Sequence, residues 1–249
     1  MDLALAGKVA IVTGASRGLG RSAACALADE GVQVLAAARS SSELDSLKER
    51  YPELIVTRRT DMKDRDQVSG LVDAAIAAFG KIDIVVNNAG IAPAGPFLEM
   101  SFATWDEVFE VNARAPAALA QAAGVRFQKQ GSGKIINIAS TSGILGKASL
   151  VAYSASKGAV IQLTKALAAE WARYGIQVNA IAPGAFATVA QQAVIDDAET
   201  LERRIRKIPA RRMAEPAEIG PLVCFLASPK SDFVTGAIYV IDGGETAKQ

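Results

Sequence analysis

Residues 8–20 read KVAIVTGASRGLG, and this segment indicates the architecture of the whole chain. A short apolar run rich in valine and isoleucine is typical of a buried strand. The three glycines that follow predict a tight turn, and the helix that opens there runs to about residue 30, where Gly31 ends it. The segment therefore predicts a strand, a turn and a helix in direct succession.

The same alternation of strand and helix continues along the rest of the sequence. Neighbouring parallel strands need a long crossover connection, which a helix supplies. The pattern predicts one α/β domain over residues 1–249, a Rossmann-type doubly wound parallel sheet of about seven strands with helices on both faces. The predicted strands are residues 8–13, 32–38, 54–58, 82–87, 134–139, 176–182 and 237–241, and the later helices are residues 42–50, 66–79, 104–130, 153–174 and 216–227.

Length and composition narrow the class of protein. A chain of 249 residues can bury a sizeable core, and it contains no apolar run of the roughly 18 residues that a membrane span needs. Its first residues lack the pattern of a secretory signal, so a cytoplasmic location is expected. A net charge of +1 gives no general attraction to nucleic acid or to an anionic membrane, and we expect neither as a partner.

The sequence contains no histidine, which excludes Ser-His-Asp hydrolysis and the zinc motifs that require histidine. Its two cysteines, Cys25 and Cys224, lie far apart, each within an apolar helical pattern. We therefore expect buried, inert thiols and no metal site. Any proton transfer must use other groups.

Polar residues or glycines follow most of the predicted strands. The carboxyl ends of parallel strands meet at one edge of a sheet, and ligands bind there. We therefore expect a single cleft lined by these residues. In chain order they are residues 14–20 after the first strand, Asp61 after the third, residues 87–90 at the fourth, Ser140 after the fifth and residues 183–184 after the sixth.

The glycine turn has the spacing of a dinucleotide-binding site. Gly14 would permit the turn, Gly18 the close approach of the backbone to a pyrophosphate, and Gly20 the close packing of helix on strand. The helix N-terminus then offers free N–H groups and a partial positive charge to the phosphates.

The end of the second strand predicts which dinucleotide binds. A carboxylate there would bind the adenosine ribose and repel a 2′-phosphate, but the sequence has Ala38 followed by Arg39 and Ser40. A guanidinium suits phosphate oxygens, and Arg17 and Ser16 in the turn could reach the same phosphate. NADP(H) is therefore favoured over NAD(H).

Tyr153 and Lys157 are separated by one helical turn, and Ser140 precedes Tyr153 by thirteen residues. A phenol has a pKa of about 10, so a catalytic tyrosine needs a nearby cation to stabilise its ionised form. On a helix the Lys157 ammonium can lie close to the phenol and lower its pKa. Taken alone the two residues form a common string, and the alternative is an ordinary surface pair.

Together these residues resemble the short-chain dehydrogenase/reductase family. The resemblance implies that Tyr153 acts as general acid in reduction and as general base in oxidation, and that Ser140 polarises the substrate carbonyl. It also implies that Asn112 holds a water linking Lys157 to solvent, and that Lys157 binds the nicotinamide ribose. The matching residues are Thr13, Gly14, Gly18, Gly20, Asp61, Asn87, Asn88, Ala89, Gly90, Asn112, Ser140, Tyr153, Lys157, Pro183, Gly184 and Thr188.

The same resemblance places other residues around the cofactor. Asp61 and Met62 would flank the adenine, residues 88–90 would line the adenosine side, and residues 183–188 would contact the nicotinamide end. The mechanism requires no metal. The predicted cofactor-binding set is Gly14, Ser16, Arg17, Gly18, Leu19, Gly20, Arg39, Ser40, Asp61, Met62, Asn88, Ala89, Gly90, Tyr153, Lys157, Pro183, Gly184, Phe186 and Thr188.

Residues 184–215 lack a strong period and are interpreted as a substrate lid that orders on binding. They carry a basic cluster with two interpretations: an anion site, or a solvated helix face paired with nearby carboxylates. The basic residues are Arg203, Arg204, Arg206, Lys207, Arg211 and Arg212, and the carboxylates are Asp196, Asp197, Glu199, Glu202 and Glu215.

The substrate is predicted to be a small-molecule carbonyl compound or alcohol. The expected pocket lining, residues 91–96, 142–150 and 185–190, is mostly small or apolar, which favours a modest hydrophobic ketone. A sugar or polyol dehydrogenase is one alternative. A 3-oxoacyl-acyl-carrier-protein reductase is another, less favoured because Gly131 and Tyr174 occupy the places of its basic residues, although Lys129 and Arg173 are adjacent. A non-catalytic dinucleotide-binding scaffold is the alternative from a different class.

The helices at 104–130 and 153–174 carry alanines and apolar residues on more than one face. Such helices pack on two sides, either within one monomer or against a second copy. The family resemblance implies a homotetramer built partly through these two helices.

Overall fold

The computed structural model describes residues 2–248, and its centre is a parallel sheet of seven strands. The strand order is β3-β2-β1-β4-β5-β6-β7, so the direction in which successive strands are added to the sheet reverses at β1 and β4. The predicted doubly wound Rossmann-type sheet is confirmed. The strands are β1 Val9–Thr13, β2 Gln33–Ala38, β3 Ile55–Arg59, β4 Ile84–Asn87, β5 Gly133–Ile138, β6 Ile176–Pro183 and β7 Ile238–Ile241.

Helices cover both faces of the sheet because successive side chains of each strand point to opposite sides. On β1, Val12 packs in the cluster that contains Leu27 of helix α1. Ile11 packs in the opposite cluster, with Leu71 of α3 and Leu119 of α5. The helices are α1 Gly18–Asp29, α2 Ser41–Arg50, α3 Arg65–Phe79, α4 Phe102–Phe109, α5 Ala115–Gln130, α6 Ser142–Leu145, α7 Val151–Trp171, α8 Gln192–Ile195, α9 Ala198–Arg206 and α10 Gly220–Ala227.

The predicted helix at 104–130 is wrong in one respect, because a π-helical turn, Glu110–Arg114, separates α4 from α5. Pro116 explains the change. It has no N–H to donate to the carbonyl of Asn112, and its ring would clash with that carbonyl in a regular α-helix. The chain widens there, as it commonly does at functional sites.

The segment 184–215 has more structure than its sequence predicts. It contains a 3-10 turn, Val189–Gln191, followed by α8 and α9. Ile208 and Met213 are buried against Ala185 in a small cluster of their own. The segment therefore packs over the carboxyl end of the sheet as a small helical layer, and its role as a lid stays a prediction.

Cys224 is buried, and burial raises the pKa of its thiol to about 12, whereas Cys25 is half-buried. Within residues 2–248 no helix is both long and apolar enough to cross a membrane. The same part of the chain contains no group of three or more acidic, cysteine or histidine side chains placed to hold a metal ion.

Candidate active site

The carboxyl ends of the strands open into a cleft of about 900 Å³. The structure brings nearly all predicted site residues together there. Gly20 and Asn112 lie behind the wall rather than in it. The predicted residues that line the cleft are Gly14, Ser16, Arg17, Gly18, Leu19, Arg39, Ser40, Asp61, Met62, Asn88, Ala89, Gly90, Ser140, Tyr153, Lys157, Pro183, Gly184, Phe186 and Thr188.

The glycine turn is held by the neighbouring strand rather than by its own side chains. Gly14 has a φ of +65° and Gly18 a φ of +56°, which L side chains rarely adopt. A Cβ on Gly20 would lie 2.3 Å from the carbonyl oxygen of Gly14. The Asn88 amide donates to the carbonyl of Thr13 at 2.9 Å and to that of Gly14 at 3.3 Å. Asn88 therefore fixes the shape of the turn.

The N-terminus of α1 is suited to an anion. Arg17 is its N-cap residue, with extended backbone and no side-chain cap hydrogen bond. The first N–H groups of a helix have no partner within the helix, so here they remain available to a ligand in the cleft. Together with the glycine turn, this surface fits the pyrophosphate of a dinucleotide.

This end of the cleft also carries two exposed cations, Arg17 and Arg39. Within residues 2–248 neither forms an ion pair. Ala38, the last residue of β2, adds no carboxylate. Glu43 also lines this end and was missed, because it lies on α2 rather than at a strand end. Lys63 and Glu107, 3.2 Å apart, were missed as well.

Ser140, Tyr153 and Lys157 meet in the middle of the cleft. Ser140 follows β5, is almost buried, and accepts a hydrogen bond from the N–H of Ser142 at 3.1 Å. Tyr153 and Lys157 lie one turn apart near the start of α7. The Lys157 ammonium lies 5.8 Å from the centre of the Tyr153 ring and donates to the carbonyl of Ile138 at 2.7 Å.

Burial dominates the electrostatics of this pair. It raises the pKa of Tyr153 above its usual value of 10, and the Ser140 hydroxyl offsets this in part. Burial also lowers the pKa of Lys157 to about 8. The net shift of the phenol pKa is upward because the phenol is removed from water, and the Lys157 ammonium donates to the carbonyl of Ile138. The lowering of this pKa by Lys157 stays a prediction. At neutral pH Tyr153 keeps its proton and Lys157 is charged.

Asn112 is fully buried, and its side chain is occupied by hydrogen bonds. Its amide donates to the carbonyl of Ile91 at 2.8 Å and to the hydroxyl of Ser156 at 3.0 Å. Its oxygen accepts from the N–H of Ile91 at 2.8 Å. The side chain thus joins the segment after β4 to α7. The predicted water relay stays a prediction. The group suited to hold its water is the main-chain carbonyl of Asn112, because Pro116 has no N–H to donate to it.

The far end of the cleft is more charged than expected. The predicted lining there was mostly small or apolar, but Lys147, Arg204, Lys207 and Glu245 also contribute to the wall. Of these, only Lys147 falls within the predicted ranges. The signal that could have identified Arg204 and Lys207 is their spacing of three residues, which places both on one side of α9.

The basic cluster divides between two environments. Arg203 pairs with Glu199 at 3.7 Å and Arg206 with Glu202 at 2.6 Å, both on exposed positions of α9. Arg204 instead pairs with Glu245 near the end of the chain. Arg203 and Arg206 match the interpretation as a solvated helix face. Arg204 and Lys207 line the cleft instead. Arg212 pairs with Glu218 at 2.6 Å, a carboxylate outside the predicted set.

The fold and this cleft define a class of protein, an oxidoreductase that uses a dinucleotide to interconvert a carbonyl compound and an alcohol. Residues 14–246 match a family model described as Enoyl-(Acyl carrier protein) reductase. The chain is 37% identical to gluconate 5-dehydrogenase of Gluconobacter oxydans, over 97% of this chain and 96% of that protein. It belongs to the short-chain dehydrogenase/reductase family. The predicted family and enzyme class are confirmed, so the non-catalytic scaffold is not retained.

Other relatives and solved structures agree. 2-dehydro-3-deoxy-D-gluconate 5-dehydrogenase of Escherichia coli is 39% identical over 98% of this chain and 97% of that protein. A gluconate 5-dehydrogenase from Burkholderia cenocepacia, solved with NADP and tartrate, has a TM-score of 0.94 and 36% identity. The alignment covers 100% of this chain and 98% of that one.

Proposed function

We propose that this protein interconverts a ketone and a secondary alcohol in a small molecule with NADP(H), using Tyr153 as the general acid and base. The observation that carries the proposal is the meeting of Ser140, Tyr153 and Lys157 in the cleft that the glycine turn opens. The hydroxyl groups of Ser140 and Tyr153 would donate to a carbonyl oxygen bound there, with the Lys157 ammonium 5.8 Å from the centre of the Tyr153 ring. The sequence predicted each of these residues.

The residues fit the dinucleotide. Side chains at Gly14 and Gly20 would fill the space between the turn and residues 88–89, and the uncapped N-terminus of α1 faces the same space. When bound, the cofactor supplies or accepts a hydride at the substrate carbon. Lys157 and residues 183–188 would hold its nicotinamide end.

The chain's own residues handle the charge that develops on the substrate oxygen. In reduction, Ser140 and Tyr153 donate hydrogen bonds to that oxygen, where negative charge accumulates. Burial raises the pKa of Tyr153, so the phenol carries a proton at neutral pH and can donate it. The cationic Lys157 then stabilises the phenolate. In oxidation the same phenolate takes the proton from the alcohol.

The preference for NADP(H) rests on Arg17 and Arg39, which line the adenosine end of the cleft and, within residues 2–248, form no ion pair. A guanidinium binds phosphate oxygens through two parallel hydrogen bonds. Solved relatives support this, since a protein from Beutenbergia cavernae with 37% identity contains bound NADP.

The mechanism is tested with Tyr153→Phe and, as matched control, Tyr174→Phe, which removes a hydroxyl outside the cleft. We expect Tyr153→Phe to lower kcat by about 100-fold or more and to leave the Kd for NADPH unchanged. Tyr174→Phe should change neither value. The readouts are NADPH oxidation with a panel of ketones and fluorescence titration of NADPH. Retention of most activity by Tyr153→Phe would rule out the assigned role.

A carrier-protein substrate is the second candidate, because a 3-oxoacyl-[acyl-carrier-protein] reductase from Thermotoga maritima is 37% identical. The two positions where a carrier-binding reductase has basic residues carry no charge here, although the adjacent Lys129 and Arg173 are exposed. Gly131 ends α5 with a φ of +71°, and the Arg173 guanidinium lies over the Tyr174 ring at 4.7 Å. Acyl thioesters belong in the substrate panel, and faster turnover of a 3-oxoacyl thioester than of any free ketone or polyol would select this candidate.

The homotetramer and the cytoplasmic location stay proposals. Support for self-association comes from large apolar side chains that face solvent, among them Leu98, Phe102 on α4 and Val125 on α5. Light scattering of the purified protein should give four times the chain mass. A stable monomer at micromolar concentration would contradict the tetramer.

A further inference from the structure

Positive charge collects at the end of the cleft that lies beyond Tyr153. Lys147 reaches it from the loop before α7, and Arg204 and Lys207 reach it from α9 and the residue that follows it. Glu245 is the carboxylate among them, and both of its oxygens bind the guanidinium of Arg204, one at 2.7 Å. Within residues 2–248 neither Lys147 nor Lys207 has an ion-pair partner.

The backbone holds Lys147 beside the reacting groups. Its N–H donates to the hydroxyl of Ser154 at 3.1 Å, and Ser154 is the residue after Tyr153. Its carbonyl accepts from the N–H of Leu150 at 3.1 Å, which closes the turn into α7. The ammonium therefore extends from a point fixed to the same helical turn as the phenol.

The surroundings of the Lys147 ammonium favour an anion. Lys147 is an exposed residue, but its ammonium loses part of its hydration in the cleft, and this loss lowers its pKa. The positive charges of Arg204 and Lys207 lower the pKa further, and Glu245 acts in the opposite direction. A lysine whose charge is disfavoured by burial and by like charges gains when an anion binds next to it. The cluster contains three cations, Lys147, Arg204 and Lys207, and one carboxylate, Glu245. Its excess of positive charge can therefore accept a second carboxylate.

We propose that Lys147 and Lys207 form a subsite for a carboxylate of the substrate, so that the enzyme acts on hydroxy acids and oxo acids rather than on neutral ketones. This deepens the proposed function and rests on it. The carboxylate would lie at the lysines while the reacting carbon lies at Ser140 and Tyr153. The expectation of a hydrophobic ketone is replaced.

A carboxylate fits this cluster better than a phosphate. The planar fork of Arg204, which would suit phosphate oxygens, is already occupied by Glu245. The lysines that remain are point charges without such a fork. Glu245 already places one carboxylate in this cluster, where Arg204 binds it.

The test compares a carboxylic acid with its uncharged amide. The two substrates are 4-hydroxycyclohexanecarboxylate and its carboxamide, each assayed with NADP⁺. The variants are Lys147→Met, Lys207→Met and the charge-conserving Lys147→Arg. The control is Lys165→Met, which removes the same charge from an exposed position of α7 outside the cleft.

We expect Lys147→Met to lower kcat/KM for the acid by about 10- to 100-fold, mainly through KM, because a charged hydrogen bond is lost. Lys207→Met should act in the same direction. Turnover of the carboxamide should change by less than about two-fold, Lys147→Arg should retain most of the preference for the acid, and Lys165→Met should match wild type. Equal losses for acid and amide in Lys147→Met, or a wild type that prefers the amide, would overturn the subsite.

A binding measurement separates this proposal from the proposed function. Succinate and inorganic phosphate are titrated into the NADP⁺ complex in a calorimeter, which requires no turnover. Succinate should bind about 10-fold more weakly to Lys147→Met than to wild type and more tightly than phosphate. Equal succinate binding, no binding, or preference for phosphate overturns the subsite even if ketones are reduced. If neither acid nor amide is turned over while succinate binding depends on Lys147, the proposed reaction fails and the subsite stands.

Discussion

The two ends of the cleft are built in different ways. At the nucleotide end the main chain forms the binding surface, through a glycine turn and the first N–H groups of α1, and a Cβ on Gly20 would have no space. At the substrate end long side chains form it. Lys147, Lys207 and Glu245 come from segments that are far apart in the sequence and meet only in the folded chain.

This difference separates the backbone geometry that the fold requires from the side-chain changes that it tolerates. The nucleotide end cannot change residue type without moving the backbone, because its geometry needs positive φ angles and close contacts. The side chains of the substrate end project from a loop, a helix and the chain's last residues, and different ones would leave the sheet in place. The fold can therefore keep one cofactor site while its substrate changes.

The largest expected effect tests the nucleotide end. Gly20→Ala places a methyl group 2.3 Å from the Gly14 carbonyl and the Asn88 amide, so the turn must open. We expect a loss of about 3 kcal/mol or more in the free energy of unfolding, together with loss of NADPH binding. Urea denaturation and fluorescence titration measure the two quantities.

Gly70→Ala is the matched control. Gly70 lies inside α3, and a Cβ there would meet nothing within 4 Å. Alanine is the better helix former, so this variant should be stabilised by roughly 0.5–1 kcal/mol. If both substitutions have the same small effect, the close packing of the turn is not what fixes the nucleotide end.

The next largest effect concerns cofactor preference, which we assign to side chains at the nucleotide end. Ala38→Asp combined with Arg39→Ala adds a carboxylate at the end of β2 and removes a guanidinium. We expect the ratio of kcat/KM for NADPH to that for NADH to fall by about 10- to 100-fold, because a charged contact to the 2′-phosphate is replaced by repulsion. Arg126→Ala, at a surface ion pair on α5, should leave the ratio unchanged. An unchanged ratio in the double variant would contradict the phosphate-site assignment.

Lys157 stands where the two ends meet, and its burial gives stability a pH dependence. Its pKa is about 8 in the folded protein against an ordinary 10.5, so between these values the unfolded chain binds a proton that the folded chain does not. Stability relative to Lys157→Met should therefore rise with pH from about 8 to 10.5 and level off below about 8, where both states bind the proton. The slope has a limit of about 1.4 kcal/mol per pH unit. Urea denaturation of both proteins from pH 7 to 10 measures it, and a flat or falling difference would refute the burial argument.

The two ends also differ in how far the sequence predicts them. The strands, the glycine turn and the residues at the strand ends were predictable because periodicity and backbone constraints act over a few residues. The π turn at Glu110–Arg114 follows from Pro116, but a helical period alone does not show it. The pair of Arg204 with Glu245 joins positions 41 residues apart, and the packing of the segment around Glu245 against α9 brings them together.

The smallest expected effect tests whether that pair holds the substrate end in place. Its side chains are only 17% and 21% exposed, whereas those of Arg203 and Glu199, also on α9, are 64% and 80% exposed. Glu245→Gln should lower the free energy of unfolding by about 1 kcal/mol, because it leaves Arg204 beside two lysines without its carboxylate. Glu199→Gln, the same substitution at the exposed pair, should cost less than about 0.5 kcal/mol. Equal effects in urea denaturation would mean that α9 does not depend on Glu245, and that the substrate end is fixed by the buried Ile208 and Met213 instead.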